Sequence, residues 1–393
     1  MNSDISDITR ICKALLAKDE RLGFVERERA LAEFCRRADE VDPTERMARA
    51  FEAVCDAMTP VVHRTDRLLG RMMEGYLQPE DELPEFYEDW KPWVHHALLF
   101  SPGHMTLDHE TVIKEGLSGI RQRAETAAER LATEQAECIA CNARIVERAV
   151  ARLFTRFANV AREMAARERE QLKRAADAAQ HVPVRPARNF HEAVQCCWSV
   201  HWVMSCVLGG RDFGWGRFDQ YLWPFYRNDI NAGVLTRDEA KALLVDFLLK
   251  ANEIAGNARG LGFFKPTPPQ SSKQYLFIGG VDADGNDQAN DLSALLLEAA
   301  MQVGMREPVI NVRWHPDVDS PLKQQATDAS VSMQGQIQFC NDSLIPGGLI
   351  RAGIDPEDAW NYAASGCSRI DAGPNHGNHE CFLPPAFLLL ELL

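Results

Sequence analysis

Cys367 lies in the stretch AASGCSRIDAG, with a glycine before it and Arg369 two residues after it. A lone cysteine is ordinarily a small buried hydrophobe, so by itself it assigns no chemistry. Arg369 is more restrictive. A guanidinium stays protonated in proteins and cannot serve as a base, while its planar fork matches a carboxylate or phosphate. The competing arrangement pairs Arg369 with Asp371 or Glu380 and merely braces the loop. His104, in SPGHMTLDHE, is on its own a structural or solvated imidazole. Cys138 and Cys141 form a CxxC inside the charged helical stretch EQAECIACNARIVERAV, with no second pair at zinc-finger spacing, so no metal is expected there. Asp282 to Asp287 (DADGND) spaces acidic residues like a calcium loop but lacks the glutamate at its twelfth position, and is expected to be a turn. Trp215, Trp223 and Trp314 are expected to pack.

The elements that must position these residues divide into two regions. ERERALAEFCRRADE, TERMARAFEAVCDAM and ERLATEQAECIACNARIVERAVARLFTRFANVAREMAARERE are rich in Ala, Glu, Arg and Leu, with apolar residues near helical spacing. An irregular stretch with several prolines runs from about Pro79 to His104. Pro183 and Pro186 mark a break before an apolar helix near Phe190. The second region alternates: Thr236 should cap the helix RDEAKALLVDFLLKANEI with Glu239 completing a capping box, and QYLFIGGV, VINVRW and QIQFCND read as strands separated by helices. That pattern predicts an α/β arrangement with mostly buried strands.

The balance of 46% hydrophobic and 25% charged residues in 393 is that of a globular chain with a sizeable core. A net charge of -14 argues against nucleic-acid binding, which needs clustered Lys and Arg. No apolar run is long enough for a membrane helix, and the polar, acidic start does not read as a secretory signal. The 11 cysteines follow no disulfide framework, and reduced thiols in the cytoplasm are expected. The ending, CFLPPAFLLLELL, has no helix stop signal and reads as a cut or as a surface awaiting a partner.

Five segments in one order carry a resemblance: SPGHMTLDHETVIKEGLSGI, FHEAVQCCWSVHWV, the Gly-Arg-x-Asp-Gln-Tyr segment beginning at Gly216, IGGVDADGNDQANDLSALLLEA, and FCNDSLIPGGLIRAGIDPEDAWNYAASGC. Together they resemble the glycyl radical enzymes of the pyruvate formate-lyase-like family. The resemblance implies an α/β fold: residues 1–190 as a mainly helical shell, and 191–393 as the first half of a ten-stranded barrel with the cysteine loop inside it. It implies that Cys367 becomes a thiyl radical, and that His104, Arg369, His379 and Glu380 line the substrate site. The glycyl radical segment has no counterpart, since none of the 25 glycines stands in an Arg-x-x-Gly-Tyr context.

The implied function is the thiyl-bearing component of a lyase or acyltransferase-type enzyme. Its substrate would be small and carboxylate-bearing, and the component would be inactive without the glycyl segment. The chain itself would hold no cofactor. The radical would sit on a partner chain or in a missing C-terminal half, installed by an S-adenosylmethionine iron–sulfur activase. Departures from the dehydratases of the family are Arg369, where a glutamate base is expected, and Gly214, where a serine is expected. Gly377-Asn378-His379-Glu380 resembles the family's Gly-x-His-Asp with one residue deleted. The alternative is a truncated, inactive homologue that only binds a ligand or partner.

Overall fold

A computed structural model describes residues 22–71, 103, 105–165, 170–210, 212–254, 274–305, 307–317, 320–333, 336–365 and 369–372. The Ala-, Glu- and Arg-rich first region forms helices α1 (Leu22–Cys35), α2 (Arg46–Ala57), α3 (His109–Leu131), α4 (Glu134–Ala165) and α5 (Glu170–His181). The long helical pattern around ERLATEQ is broken where one element was expected: Ala132 adopts a left-handed conformation, φ 47°, and Thr133 Oγ1 accepts the Ala136 N–H at 3.3 Å as a new helix begins. A second interruption falls inside α3. Gly116 has φ +67°, and a Cβ there would lie 2.4 Å from the Val184 carbonyl oxygen. The kink frees the N–H groups of Leu117 and Ser118, which donate to Pro183 and Val184 carbonyls at 2.9 Å.

Asn189 caps α6 (Phe190–Trp202), which runs into a π-helical turn at Val203–Val207. The second region then follows its expected alternation: β1 (Gly214–Arg217), α7 (Phe218–Asn231), α8 (Arg237–Glu253), β2 (Tyr275–Gly279), α9 (Asp291–Val303), β3 (Val309–Trp314), α10 (Pro321–Ser332) and β4 (Ile337–Asn341). The Thr236–Glu239 capping box forms as expected. The four strands are parallel in the order β1-β2-β3-β4, with helical connections as parallel pairing requires. Two short helices, α11 (Ile345–Arg351) and α12 (Pro356–Trp360), lead to an antiparallel hairpin of β5 (Ala363–Ser365) and β6 (Arg369–Asp371).

The sheet separates two cores. Leu276, Ile278, Ile310 and Val312 pack into a large cluster continuous with the helices from Ala30 onward, while Tyr275 and Phe277 join Tyr362, Ala363 and Ala364 in a smaller one. One face is therefore covered by helices and the other by the hairpin. The expectation of buried strands holds for β2, but β4 is only alternately covered and leaves Phe339 45% exposed. Among the described residues no helix is long and apolar enough to cross a membrane.

Candidate functional site

The residues of the Gly-Arg-x-Asp-Gln-Tyr segment brace the end of the sheet. Arg217 Nη2 donates to the Gly279 carbonyl at 3.2 Å, and Asp219 Oδ2 accepts the Gly279 N–H at 2.7 Å. Gln220 Nε2 donates to the Gln288 carbonyl at 2.8 Å, and the Tyr221 hydroxyl to the Trp215 carbonyl at 2.7 Å. β1 carries small residues on its hairpin-facing side. A Cβ on Gly214 would meet the Ala364 carbonyl oxygen at 2.6 Å, so a serine there would require the hairpin to retreat.

The hairpin is anchored where the chain enters it and where the chain leaves it. Before β5, the Tyr362 hydroxyl donates to Asp342 Oδ1 at 2.6 Å, and the same oxygen takes Arg313 Nε at 2.9 Å. The Arg313 guanidinium lies 4.3 Å from the Tyr362 ring centroid, and Asp342 Oδ2 accepts the Val281 N–H at 2.8 Å. These charges are buried yet satisfied, which such an ion pair requires. At the end of β6, opposite Ala363 and so at the same open end of the hairpin, Asp371 Oδ2 accepts both the N–H and the hydroxyl of Thr106, at 3.0 and 2.8 Å. Thr106 belongs to a short segment laid along β1, with Gly214 N donating to Met105 O at 2.9 Å and Leu107 N to Gly214 O at 3.1 Å.

The hairpin register, Ser365 opposite Arg369, leaves residues 366–368 as the connection, with Cys367 its middle residue. Cys367, His104, His379 and Glu380 lie outside the described residues, and of Arg369 only the backbone is described. Sequence neighbours nonetheless meet: Thr106 stands two residues after His104, and Asp371 two after Arg369.

Beside this junction is a cavity of about 470 Å³, lined among others by His109, Trp215, Arg217, Tyr221, Asn361 and Ala363. Burial pushes His109 down to about 3, so it is neutral, and neither ring nitrogen has a hydrogen-bond partner among the described residues. His201, stacked on Trp215 at 3.8 Å between centroids, is also held neutral by burial, and its Nε2 pairs with Gln274 Oε1 at 2.7 Å. Burial, assisted by the neighbouring Arg313 charge, lowers Arg217 to about 10.

Other sequence features find structural uses. The Cys138 thiol approaches the Thr44 carbonyl at 3.3 Å and the Cys141 thiol the Glu45 carboxylate at 3.0 Å, fastening α4 to the start of α2. Asp282 Oδ1 accepts the N–H groups of Asp284 and Asn286, closing the expected turn. No group of three metal-ligating side chains occurs among the described residues. Sequence reasoning did not single out Thr106, His109, His201, Arg313 or Asp342. For Arg313 a signal existed, a charged residue inside the strand pattern VINVRW; for the others it did not.

Comparison with known proteins adds the lineage. A model of the family described as pyruvate formate lyase-like matches residues 98–389. The chain is 29% identical over 288 residues to the probable dehydratase YbiW of Escherichia coli, covering 70% of this chain and 35% of that protein. It is 28% identical over 307 residues to trans-4-hydroxy-L-proline dehydratase of Clostridioides difficile, covering 74% and 37%. A glycyl radical enzyme from Archaeoglobus fulgidus superposes with a TM-score of 0.78 at 23% identity, over 94% of this chain and 55% of that one. The chain thus spans about a third of those curated relatives and about half of that solved chain. With the helical shell, the parallel sheet and the family match over most of its length, the chain belongs to the pyruvate formate lyase-like family of glycyl radical enzymes.

Proposed function

We propose that the chain is the thiyl-bearing part of a glycyl radical lyase that acts on a small, carboxylate-bearing substrate. The observation that carries this reading is the anchoring of the β5–β6 hairpin, which flanks Cys367, against the face of the sheet away from the helices. A protein that must hold a reactive sulfur in register with a C–H bond needs such a rigid mount and a water-poor surround.

In this reading the Cys367 S–H bond breaks homolytically and its hydrogen atom passes to the glycyl carbon supplied by a partner chain or a further segment. The sulfur, now one hydrogen short, takes a hydrogen atom from substrate carbon, and the S–H bond re-forms. An S-adenosylmethionine iron–sulfur activase supplies the glycyl radical. Arg369 holds the substrate carboxylate, and His104, His379 and Glu380 line the site. The name of one relative, trans-4-hydroxy-L-proline dehydratase, specifies a substrate with a carboxylate. Arginine at 369 and glycine at 214 weigh against simple diol dehydration, which relies on a base and a hydroxyl at those positions. The exposed Phe339 and Leu344 at the β4 edge fit a partner surface.

The test is anaerobic reconstitution of the chain with a glycine-bearing segment of a family member and a competent activase. Cys367→Ser should leave the electron paramagnetic resonance doublet intact and abolish turnover, because an O–H bond is too strong to relay the hydrogen atom. Arg369→Glu should weaken small carboxylates at least about tenfold, given ~1.5–3 kcal/mol per charge-assisted hydrogen bond, and spare neutral amide analogues. A doublet without turnover in the unaltered protein would favour a chain that only binds ligand or partner.

A further inference from the structure

We infer that Asp371 is a positioning residue: through Thr106 it sets the spacing between the segment that follows His104 and the hairpin that flanks Cys367. The inference rests on the reading of these two stretches as walls of one site.

Asp371 is buried, and one of its oxygens takes both hydrogen-bond donors of a single residue 265 positions away, the N–H and the hydroxyl of Thr106. A buried carboxylate that gathers two donors from one residue fixes that residue's direction as well as its distance. Thr106 has little freedom of its own. Its neighbours on either side are laddered to Gly214, and Thr106 itself bridges Gly214 in parallel register. Gly214 closes the third side, since a Cβ placed there would stand 2.6 Å from the Ala364 carbonyl oxygen and 3.1 Å from Thr106 Oγ1. Segment, strand and hairpin therefore meet at one point without slack, and a shift of any one displaces the other two. The Arg313–Asp342–Tyr362 anchor does not substitute for this joint. It ties the start of the hairpin to the ends of β3 and β4, whereas the hydrogen bonds of Thr106 run to Asp371. Among the described residues, Asp371 is the side chain that links the two walls directly.

The experiment uses the full chain and needs no radical. Wild type, Asp371→Asn, Thr106→Val and Thr106→Ser are compared by peptide-resolved hydrogen exchange, by iodoacetamide alkylation of Cys367 with Cys138 as internal reference, and by thermal melting. Asp371→Asn and Thr106→Val should each raise exchange in both 105–108 and 363–372. Each should also change the Cys367 alkylation rate at least about threefold, as loss of a local restraint does. Thr106→Ser, which keeps the donor, should match wild type, and the Asp371→Asn/Thr106→Val pair should be no worse than either single change. If Asp371→Asn fails to fold, the Thr106→Val and Thr106→Ser pair carries the same decision. Exchange that rises in one segment only, or throughout the chain in step with a lower melting temperature, overturns the inference, as does an unchanged Cys367 rate. Because no turnover is measured, failure of the radical chemistry leaves this result standing.

Discussion

Two buried polar clusters, one around Arg71 and one around His109, handle charge in opposite ways. Around Arg71 the contacts are ionic. Asp66 Oδ1 sits 2.8 Å from Arg71 Nη2 and 3.0 Å from Lys250 Nζ, Arg71 Nη1 reaches Glu253 at 2.6 Å, and Asp246 accepts the N–H groups of Arg67 and Leu68. Burial alone would raise Asp66, but Arg71 and Lys250 outweigh it and hold the carboxyl at about 2. Around His109 the groups are neutral: His109 and His201 face Tyr221 and Trp215 with no carboxylate against them among the described residues, and burial keeps them unprotonated. A buried group keeps its charge where an opposite charge lies within hydrogen-bond reach and gives it up where none does.

The contrast breaks most severely at the ionic end. Lys250→Met removes one of the cations that face three buried carboxylates, Asp66, Asp246 and Glu253, and should lower unfolding free energy by about 3–5 kcal/mol in urea titrations. A loss under 1 kcal/mol would mean that the cluster gives up its charge as readily as the histidines do, its carboxylates taking up protons where the imidazoles release them. Next comes Gln274→Leu, which strips His201 Nε2 of its partner and should cost about 1–3 kcal/mol.

Acid should sharpen the comparison. The folded pKa of His109 lies near 3 and its usual value is 6.5, so the unfolded chain takes up a proton that the folded chain refuses. This contribution is complete above pH 6.5 and is lost as pH falls toward 3, at up to ~1.4 kcal/mol per pH unit for each such histidine. His109→Phe should flatten the slope of stability between pH 6.5 and about 5, a window above the ordinary carboxylate range. Asp246 and Glu253, raised by burial, act in the opposite sense. An unchanged slope would show that His109 is charged in the fold. The smallest effect belongs to an exposed control: Thr236→Ala removes a capping box and should cost about 1 kcal/mol at any pH that keeps Glu239 ionised.

What could be read from the sequence follows the range of the forces involved. α8, with its cap, and β3, with its apolar alternation, are specified by neighbouring residues, and both were legible. β1 and the hairpin were not: GWGR has too few side chains to show a period, and each hairpin strand has three residues, stabilised by the sheet beneath them. Cys367 was singled out by the resemblance of the segments around it, and its own placement lies outside the described residues. The partners of Asp371 and Asp342 were not legible, because Thr106 and Tyr362 approach them only once the sheet has formed. His109 likewise carried no local signal, since only the fold puts Trp215 and Tyr221 near it.

The Thr106–Asp371 joint also orders events during synthesis. At ~5–20 residues per second, the ribosome takes roughly 10–50 s to travel the 265 positions between them. Once Gly214 has emerged within that interval, the 105–107 segment can lie on β1 while the side that the hairpin will cover stays open. The nascent chain can thus assemble shell and sheet first and receive the hairpin that flanks Cys367 onto a surface already formed.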